Sequence, residues 1–308
     1  MKPMTRGGYF AGAPSAETER PAIHVVVPVY NRLEKTRKCL DDLAKQTWNQ
    51  TVVWVVDDAS TDDTPDAIPR EYPWARFLRT EGNRWWTGAT NDGIQAALQV
   101  ASPEDWILLL NNDLCLAPDL LEKLFAAAER GGKEKLVGAV CLDRKDRHSI
   151  VDGGIRVVWW KAKFIGWNRG KDIRTMPEGH EEEVSVLTGR GVLYPSSAFR
   201  QHGLFDDRHF QQCGDYSLPA LLKRRGYTLK VSYDARVFMD SEETDAVNCS
   251  PRLHFRDWHN VFFGVRSNRN LRYRFFLAWY GCPRWALPGF LVMDFFRVTF
   301  NFLRHCLR

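Results

Sequence analysis

Ile23-His24-Val25-Val26-Val27-Pro28-Val29, followed at once by Tyr30-Asn31, decides how this chain folds. A short run rich in β-branched side chains, without polar alternation, marks a strand buried on both faces, and such strands belong to parallel sheets covered by helices. Outward from it, Leu33, Leu40 and Leu43 recur at helical spacing up to Thr47. A second buried run, Thr51–Val56, then ends in Asp57-Asp58, completing a βαβ unit. Further strands are expected at Ala75–Arg79, Trp106–Leu110 and Leu136–Leu142, with helices at Thr87–Val100 and Pro118–Arg130. Beyond Asp143 the regularity fades. Ile155–Trp160 and Val184–Tyr194 read as strands, Arg169–Glu183 as a polar loop, and Asp215–Arg225 as a helix stopped by Gly226.

Composition agrees with a globular α/β chain of one large or two modest domains. Of 308 residues, 44% are hydrophobic and 26% charged, with 22 Gly and 15 Pro, which excludes collagen-like, disordered and disulfide-scaffold classes. The 12 Trp indicate ring-lined pockets or a membrane interface. The net charge of +5 is unevenly spread, because residues 251–308 carry ten Arg, no Lys and only Asp257 and Asp294 as acids. That asymmetry points to an anionic surface met by the C-terminal end, and no nucleic-acid partner is expected. Seven scattered cysteines without a CxxC pair argue against a disulfide framework and a zinc ribbon and favour a reducing compartment. Residues 1–22 are polar, with no apolar run of signal-peptide length, and read as a flexible tail on a cytoplasmic protein.

Ligands of open α/β sheets sit outside the carboxyl ends of the strands, where three clusters fall: Asn31, Asp57-Asp58 and Asn111-Asn112-Asp113. Carboxylates and hydroxyls in Asp57-Asp58-Ala59-Ser60-Thr61 either cap the next helix or accept hydrogen bonds from a nucleotide base or ribose. Asn111-Asn112-Asp113 either forms an Asx turn or supplies oxygens, with Asp113 as ligand to Mg²⁺ or Mn²⁺ and diphosphate completing the shell. Trp85-Trp86 could stack on a base or sugar or wall a pocket, and Arg190 could pair with a phosphate or stay solvated.

Four ordered segments resemble family 2 glycosyltransferases, particularly bacterial rhamnosyltransferase-like members. They are Val26-Val27-Pro28-Val29-Tyr30-Asn31, Val55-Val56-Asp57-Asp58-Ala59-Ser60-Thr61-Asp62, Trp85-Trp86-Thr87-Gly88-Ala89-Thr90-Asn91-Asp92-Gly93-Ile94 and Leu110-Asn111-Asn112-Asp113. The resemblance spans residues 23–260. It implies a GT-A fold, with a mostly parallel, Rossmann-like central sheet and flanking helices, a nucleotide-diphospho-sugar donor, inversion at the anomeric carbon and a divalent metal, Mn²⁺ or Mg²⁺. Its donor contacts fall on Pro28, Tyr30, Asn31, Asp57, Asp58, Trp86, Gly88, Asn91, Asn111 and Asn112, with Asp113 as metal ligand. Thr188-Gly189-Arg190-Gly191 and Gly203-Leu204-Phe205-Asp206 look like the acceptor-side strand and turn, and Gly214-Asp215-Tyr216-Ser217-Leu218 like the helix start that carries the catalytic base, here Asp215. The chain departs from the family at Gly214, where a Glu is usual, at Ser217, where a second Asp is usual, and at Met239, where a metal-assisting His is expected. Asp240 is the candidate replacement ligand. Asp215 suits the chemistry of that base, since inversion needs one group to take the acceptor proton, the alternative for an Asp at that place being a first-turn helix cap. The helix dipole is expected to keep it ionised. His254 and His259 are read as structural.

The domain division expected is a glycosyltransferase domain over residues 23–250, with a nucleotide-binding half to 113 and an acceptor half from 114, then a basic, aromatic helical extension over 251–308. Within that extension the longest uncharged stretches, Phe275–Pro283 and Trp285–Met293, have nine residues each, well short of the ~20 that span a bilayer. An amphipathic helix lying on an anionic membrane, at the inner face of the plasma membrane, and a helix packed on the domain are the two alternatives. The function expected is sugar transfer from a nucleotide-diphospho-sugar to a glycan or lipid-linked acceptor in surface polysaccharide or glycolipid assembly. A non-catalytic sugar-binding relative and a sugar nucleotidyltransferase are the rivals, the latter lacking its Gly-rich triphosphate loop.

Overall fold

The structure, a computed structural model, describes residues 20–240, 253–267 and 269–307. Nearly all of the tail expected over 1–22, the boundary at 250 and Cys249 lie outside the described residues. The chain runs first through β1 (Ile23–Val29), α1 (Leu33–Leu43), β2 (Thr51–Asp57), α2 (Thr64–Glu71), β3 (Arg76–Arg79), α3 (Trp85–Val100) and β4 (Trp106–Leu109). A second part adds β5 (Cys115–Leu116), α4 (Leu120–Glu129), β6 (Lys135–Asp143), β7 (Ile150–Asp152), β8 (Ile155–Val158), β9 (Lys163–Gly166), β10 (Glu181–Glu183), β11 (Val192–Pro195), α5 (Ser196–His202), α6 (Ser217–Arg224) and β12 (Thr228–Met239). Then come α7 (Trp258–Phe263), α8 (Leu271–Gly281) and α9 (Leu287–Cys306).

One ten-stranded sheet has the order β10-β12-β6-β11-β4-β1-β2-β3, with β5 beside β12 and β7 beside β6. β4, β1, β2 and β3 are mutually parallel, and β11 reverses direction between β4 and β6. Alternation along β1 sends Val25, Val27 and Val29 to a core shared with α1, α2 and α4, and Val26 to a core shared with α3, α5 and α6. Burial on both faces is why β1 shows no polar period.

Three regions differ from the sequence expectation. The run Val184–Tyr194 is a strand only from Val192, because Thr188-Gly189-Arg190-Gly191 turns sharply, the Arg190 amide donating to the Thr188 carbonyl at 2.6 Å. Conversely, Glu181–Glu183, inside the expected polar loop, pairs antiparallel with β12. Charge rather than hydrophobicity holds that edge, with Glu181 accepting from Arg130, Lys135 and Lys230 at 2.7, 2.9 and 3.1 Å. Ile155–Trp160 also shortens, since Trp159–Lys161 is a 3₁₀ turn joining β8 to β9 in a separate hairpin.

The C-terminal helices build a third core with that hairpin, made of Val157, Ala162, Phe210, Ala220, Tyr273, Leu277, Ala278 and Phe290. The single amphipathic helix envisaged is therefore two helices broken at Cys282-Pro283, and α8 is packed on the domain. Asp294 on α9, 3% exposed, fastens the pair by accepting from Arg274 of α8 at 2.6 Å and from Arg297 at 2.7 Å. Its removal takes a shared anionic partner from both guanidinium groups. Asp294→Leu is expected to lower stability by about 3 kcal/mol in reversible urea unfolding.

Candidate active site

The chain crosses the sheet between β3 and β4, so β1 and β4 flank a topological switch point, outside whose carboxyl ends the ligand crevice of an open α/β sheet lies. The β1 ladder prepares it. Leu110 donates to the Val26 carbonyl, and Pro28, one step further on the same side of the strand and lacking an N–H, ends the pairing without wasting a donor. Tyr30 then projects with 56% of its surface exposed.

Asn31, Arg32 and Ala59 have φ of 57°, 64° and 58°, a left-handed backbone that costs non-glycine residues ~1–3 kcal/mol each unless neighbours hold it. They are held. The Asn31 amide donates to Ser60 Oγ at 2.7 Å, Asn31 Oδ1 accepts from the Thr61 amide at 2.9 Å, and Asp62 accepts from the Leu33 amide at 3.2 Å. The turns after β1 and β2 thus form one unit. Asp57, fully buried, accepts the Ser60 amide at 3.2 Å and faces Arg79 at 3.5 Å. Asp58 accepts from Thr80 Oγ1 and the amides of Arg84 and Trp85 at 2.7, 3.1 and 2.9 Å, setting the entry to α3. A nucleotide contact by either carboxylate has to use lone pairs that these bonds leave free.

On the β4 side, Trp86 Nε1 donates to Asn111 Oδ1 at 2.9 Å, and buried Asn112 donates to Thr36 Oγ1 at 2.9 Å. Asp113 meets Arg32 at 3.2 Å with about a third of its side chain exposed. Gly88, in the first turn of α3, leaves room for the Arg84 side chain, whose guanidinium pairs with Asp92 at 2.8 Å. Asn91 is buried and exchanges hydrogen bonds with the Phe205 backbone at 2.9 and 3.1 Å. It pins the Gly203-Leu204-Phe205-Asp206 turn to α3, so any contact with a donor would cost those bonds.

The two halves meet at Gly189. A Cβ there would lie 2.6 Å from the Trp86 ring and 3.4 Å from the Asp215 Cβ, so only glycine allows this approach. Its amide donates to Asp215 Oδ2 at 2.7 Å. Asn111, Trp86, Gly189 and Asp215 are therefore in successive contact across the crevice. Asp215 lies in a 3₁₀ turn, Gly214–Tyr216, ahead of α6, rather than in a first helical turn. The dipole expected to favour its charge does not prevail: burial pushes its pKa up to about 6, against the opposing pull of the Gly189 amide and the Arg190 charge. Gly214 has a physical reason to stand where the family has Glu, since a Cβ would lie 2.3 Å from Thr87 Oγ1. Ser217 closes the turn by donating to the Gly214 carbonyl at 2.7 Å.

Arg190 is not solvated but paired with Asp152 at 2.8 Å. Asp152 belongs to no motif in the sequence and went unnoticed there; only its neighbour in space, Thr188-Gly189-Arg190-Gly191, stood out. Asp240 pairs with Arg144 at 3.3 Å, and Met239 is buried in the core. Among the described residues no three or more His, Cys, Asp or Glu side chains are grouped to hold a metal ion. The donors at the end of β4 nonetheless fit a divalent cation of the kind bound through one or two carboxylates plus phosphates and water, with Asp113 as the partly exposed carboxylate.

Comparison with known proteins agrees with this architecture. The family model described as glycosyl transferase family 2 matches residues 24–202. An N-acetylglucosaminyl-diphospho-decaprenol L-rhamnosyltransferase of Mycobacterium tuberculosis is 25% identical over 288 residues, 87% of this chain and 90% of its own length. The succinoglycan biosynthesis protein ExoO of Rhizobium meliloti is 32% identical over 140 residues, 44% of this chain and 38% of that protein. Among solved structures, the mannosyltransferase PcManGT of Pyrobaculum calidifontis, in complex with GDP-Man and Mn²⁺, superposes with a TM-score of 0.51 at 18% identity, over 91% of this chain and 70% of that one. S. aureus TarS 1-349 in complex with UDP gives 0.52 at 13% identity, over 90% and 91%. These likenesses carry the GT-A fold. With a family match over more than half its length, the chain belongs to glycosyl transferase family 2 and is a glycosyltransferase.

Proposed function

We propose that this glycosyltransferase moves a sugar, with inversion, from a nucleotide-diphospho-sugar to a hydroxyl of a lipid-linked glycan, with Asp215 as the base. The observation that carries the reading is the Asp215 carboxylate, partly buried against Gly189 and beside Trp86 with its pKa raised to about 6. A carboxylate near pKa 6 is still ionised at pH 7 yet a stronger base than an ordinary Asp. It takes the proton of the acceptor hydroxyl as that oxygen attacks C1, the C1–O bond to the diphosphate breaks, and the nucleoside diphosphate leaves with the bonding electrons. Tyr30, Asn31 and the Asn111–Trp86 pair line the donor side, with Asp57 and Asp58 keeping the turns in place. A divalent ion held by Asp113 would neutralise charge gathering on the leaving diphosphate. Arg32, which pairs with Asp113, is half-exposed and able to swing toward that anion. Asp240 is the weaker ligand candidate, being paired with Arg144.

The lipid-linked acceptor is supported by the decaprenol named for the mycobacterial relative and by the surface of α9. Phe290, Asp294, Val298 and Phe302 recur at i+4 and face the protein. Val292, Phe296, Phe300, Leu303 and Leu307 form the opposite stripe, exposed by 39 to 78%, with Trp285 at 77% beside it. No helix among the described residues is long and apolar enough to cross a membrane. An aromatic stripe in an Arg-rich segment suits a helix lying in an anionic bilayer interface.

Three measurements test the reading. With an L-rhamnose nucleotide and N-acetylglucosaminyl-diphospho-decaprenol in vesicles, Asp215→Asn is expected to lower transfer ~10²–10⁴-fold while nucleotide binding persists. Transfer by the parent chain is expected to decline as pH falls through about 6, where Asp215 gains a proton, rather than near 4. Near-normal turnover of the variant would remove Asp215 from the reaction. In thermal-shift titrations, Asp113→Ala is expected to abolish the part of the nucleotide-sugar stabilisation that Mn²⁺ adds; an undiminished Mn²⁺ effect would displace the ion from Asp113. In co-sedimentation with phosphatidylglycerol vesicles, Phe296→Ser/Phe300→Ser is expected to release the protein, and raised salt to weaken binding of the parent chain. Retention of the double variant, or its conversion from oligomer to monomer, would assign the stripe to packing between copies.

A further inference from the structure

Asp152 is placed where the family motifs give no reason to look, at the end of β7 beside Cys141 of β6. Its Oδ1 accepts the Gly154 amide at 2.8 Å, and its Oδ2 accepts both Thr188 Oγ1 at 2.7 Å and Arg190 Nη1 at 2.8 Å. Between those two residues, the Gly189 amide points the other way and donates to Asp215. Three consecutive residues are thus pinned alternately by two carboxylates, Thr188 and Arg190 by Asp152 and Gly189 by Asp215. This leaves the Arg190 guanidinium close enough to act on Asp215 electrostatically while its hydrogen bonds go to Asp152.

We propose that Asp152 is a positioning residue for the transfer reaction: it ties Arg190 down, so that the guanidinium lines the acceptor side of the crevice without forming an ion pair with Asp215. The inference rests on the assignment of Asp215 as base. An arginine free to bind Asp215 directly would occupy the oxygen that has to receive the acceptor proton and would weaken it as a base. Asp152 prevents this in two ways, by holding the cation in its own charge-assisted bond and by setting a second negative charge near Asp215.

The charged neighbours are few. The groups that act on Asp215 or that it acts on are Arg190, Asp152, Cys213, Tyr194 and Tyr216. Burial pushes the Cys213 thiol up to about 12 and both phenols well above their ordinary value, so all three stay neutral at physiological pH. Arg190 and Asp152 alone among them carry charge, of opposite sign, and so their removal has opposite effects. Loss of Asp152 takes away a negative charge and frees the cation, both lowering the Asp215 midpoint. Loss of Arg190 takes away the cation and raises it.

The test is a pH titration of the full chain labelled with ¹³C at the Asp carboxyl carbons, the Asp215 signal being assigned by its disappearance in Asp215→Asn. Asp152→Asn is expected to move the Asp215 midpoint down by about one pH unit and Arg190→Gln to move it up by about one, with Arg190→Lys returning it toward the parent value. The acid limb of rhamnosyl transfer is expected to follow the same shifts. Midpoints unchanged in both variants, or moved in the same direction, would overturn the proposal. So would an Arg190→Lys protein that titrates like Arg190→Gln, a comparison that stands even where Asp152→Asn does not fold. Failure of the base assignment is separable, since it shows as retained turnover in Asp215→Asn whatever the titration gives.

Discussion

The hydrogen bond from the Gly189 amide to Asp215 Oδ2, at 2.7 Å, is the contact on which the arrangement of the site depends. The parallel strands β4, β1, β2 and β3 end at the switch point, and the base proposed for this site is not on any of them. The proposed base, Asp215, comes from a turn more than a hundred residues after Asn111. It is brought to the crevice because β11 reverses between β4 and β6 and leads the 188–191 turn over the carboxyl edge. Trp86 fits under that turn only because Gly189 has no side chain, and the same ring is fixed from below by Asn111. Donor side and acceptor side are in this way positioned by a single close approach.

Burial and hydrogen bonding act on Asp215 in opposite directions, and burial wins. A carboxylate accepting a backbone N–H near an arginine would ordinarily sit below its usual pKa, but here desolvation raises it to about 6. The arginine loses this contest because its hydrogen bonds are spent on Asp152. Elsewhere in the crevice the carboxylates have the contrary task. Asp57 and Asp58 are hydrogen-bonded to backbone amides, and Asp62 to the start of α1, so their charge holds three left-handed residues in place. Strain of that kind persists only where neighbours over-determine it, and it gathers at the two turns that face the donor.

Which parts of this could be read beforehand follows from the range of the interactions. β1, β2, α1 and α3 rest on local pattern, and the motif residues at the strand ends were legible because a buried strand that breaks into Asn and Asp is an unusual local event. β10 was not legible, because three consecutive Glu become a strand only when Arg130, Lys135 and Lys230 arrive from elsewhere in the chain. The same holds for Asp152, whose partners are 36 and 38 positions away. Asp57, Asp58 and Asn91 were visible as polar residues at the right edge, but their internal partners Arg79, Thr80 and Phe205 come from other turns. The raised pKa of Asp215 depends on how deeply the turn is covered, which no pattern within the turn itself records.

The C-terminal helices extend this logic from the crevice to the surface. Tyr280 of α8 donates to Asp206 Oδ2 at 2.7 Å, and the same oxygen meets His209, whose ring stacks on Phe276 at 3.6 Å. Phe210 stacks in turn on Tyr273 at 5.4 Å. The backbone between these anchors continues through Gln211, whose carbonyl accepts from the Thr87 amide, to Cys213 and Asp215. Helix α8 therefore forms one wall of the segment that leads to Asp215, while α9, locked to α8 through Asp294, turns its aromatic stripe outward. A surface that engages a membrane through α9 would press on the same helix pair that supports the catalytic turn. On the proposed reading, recognition of a lipid-linked acceptor and placement of Asp215 would share one mechanical element, the α8–α9 pair and the third core beneath it.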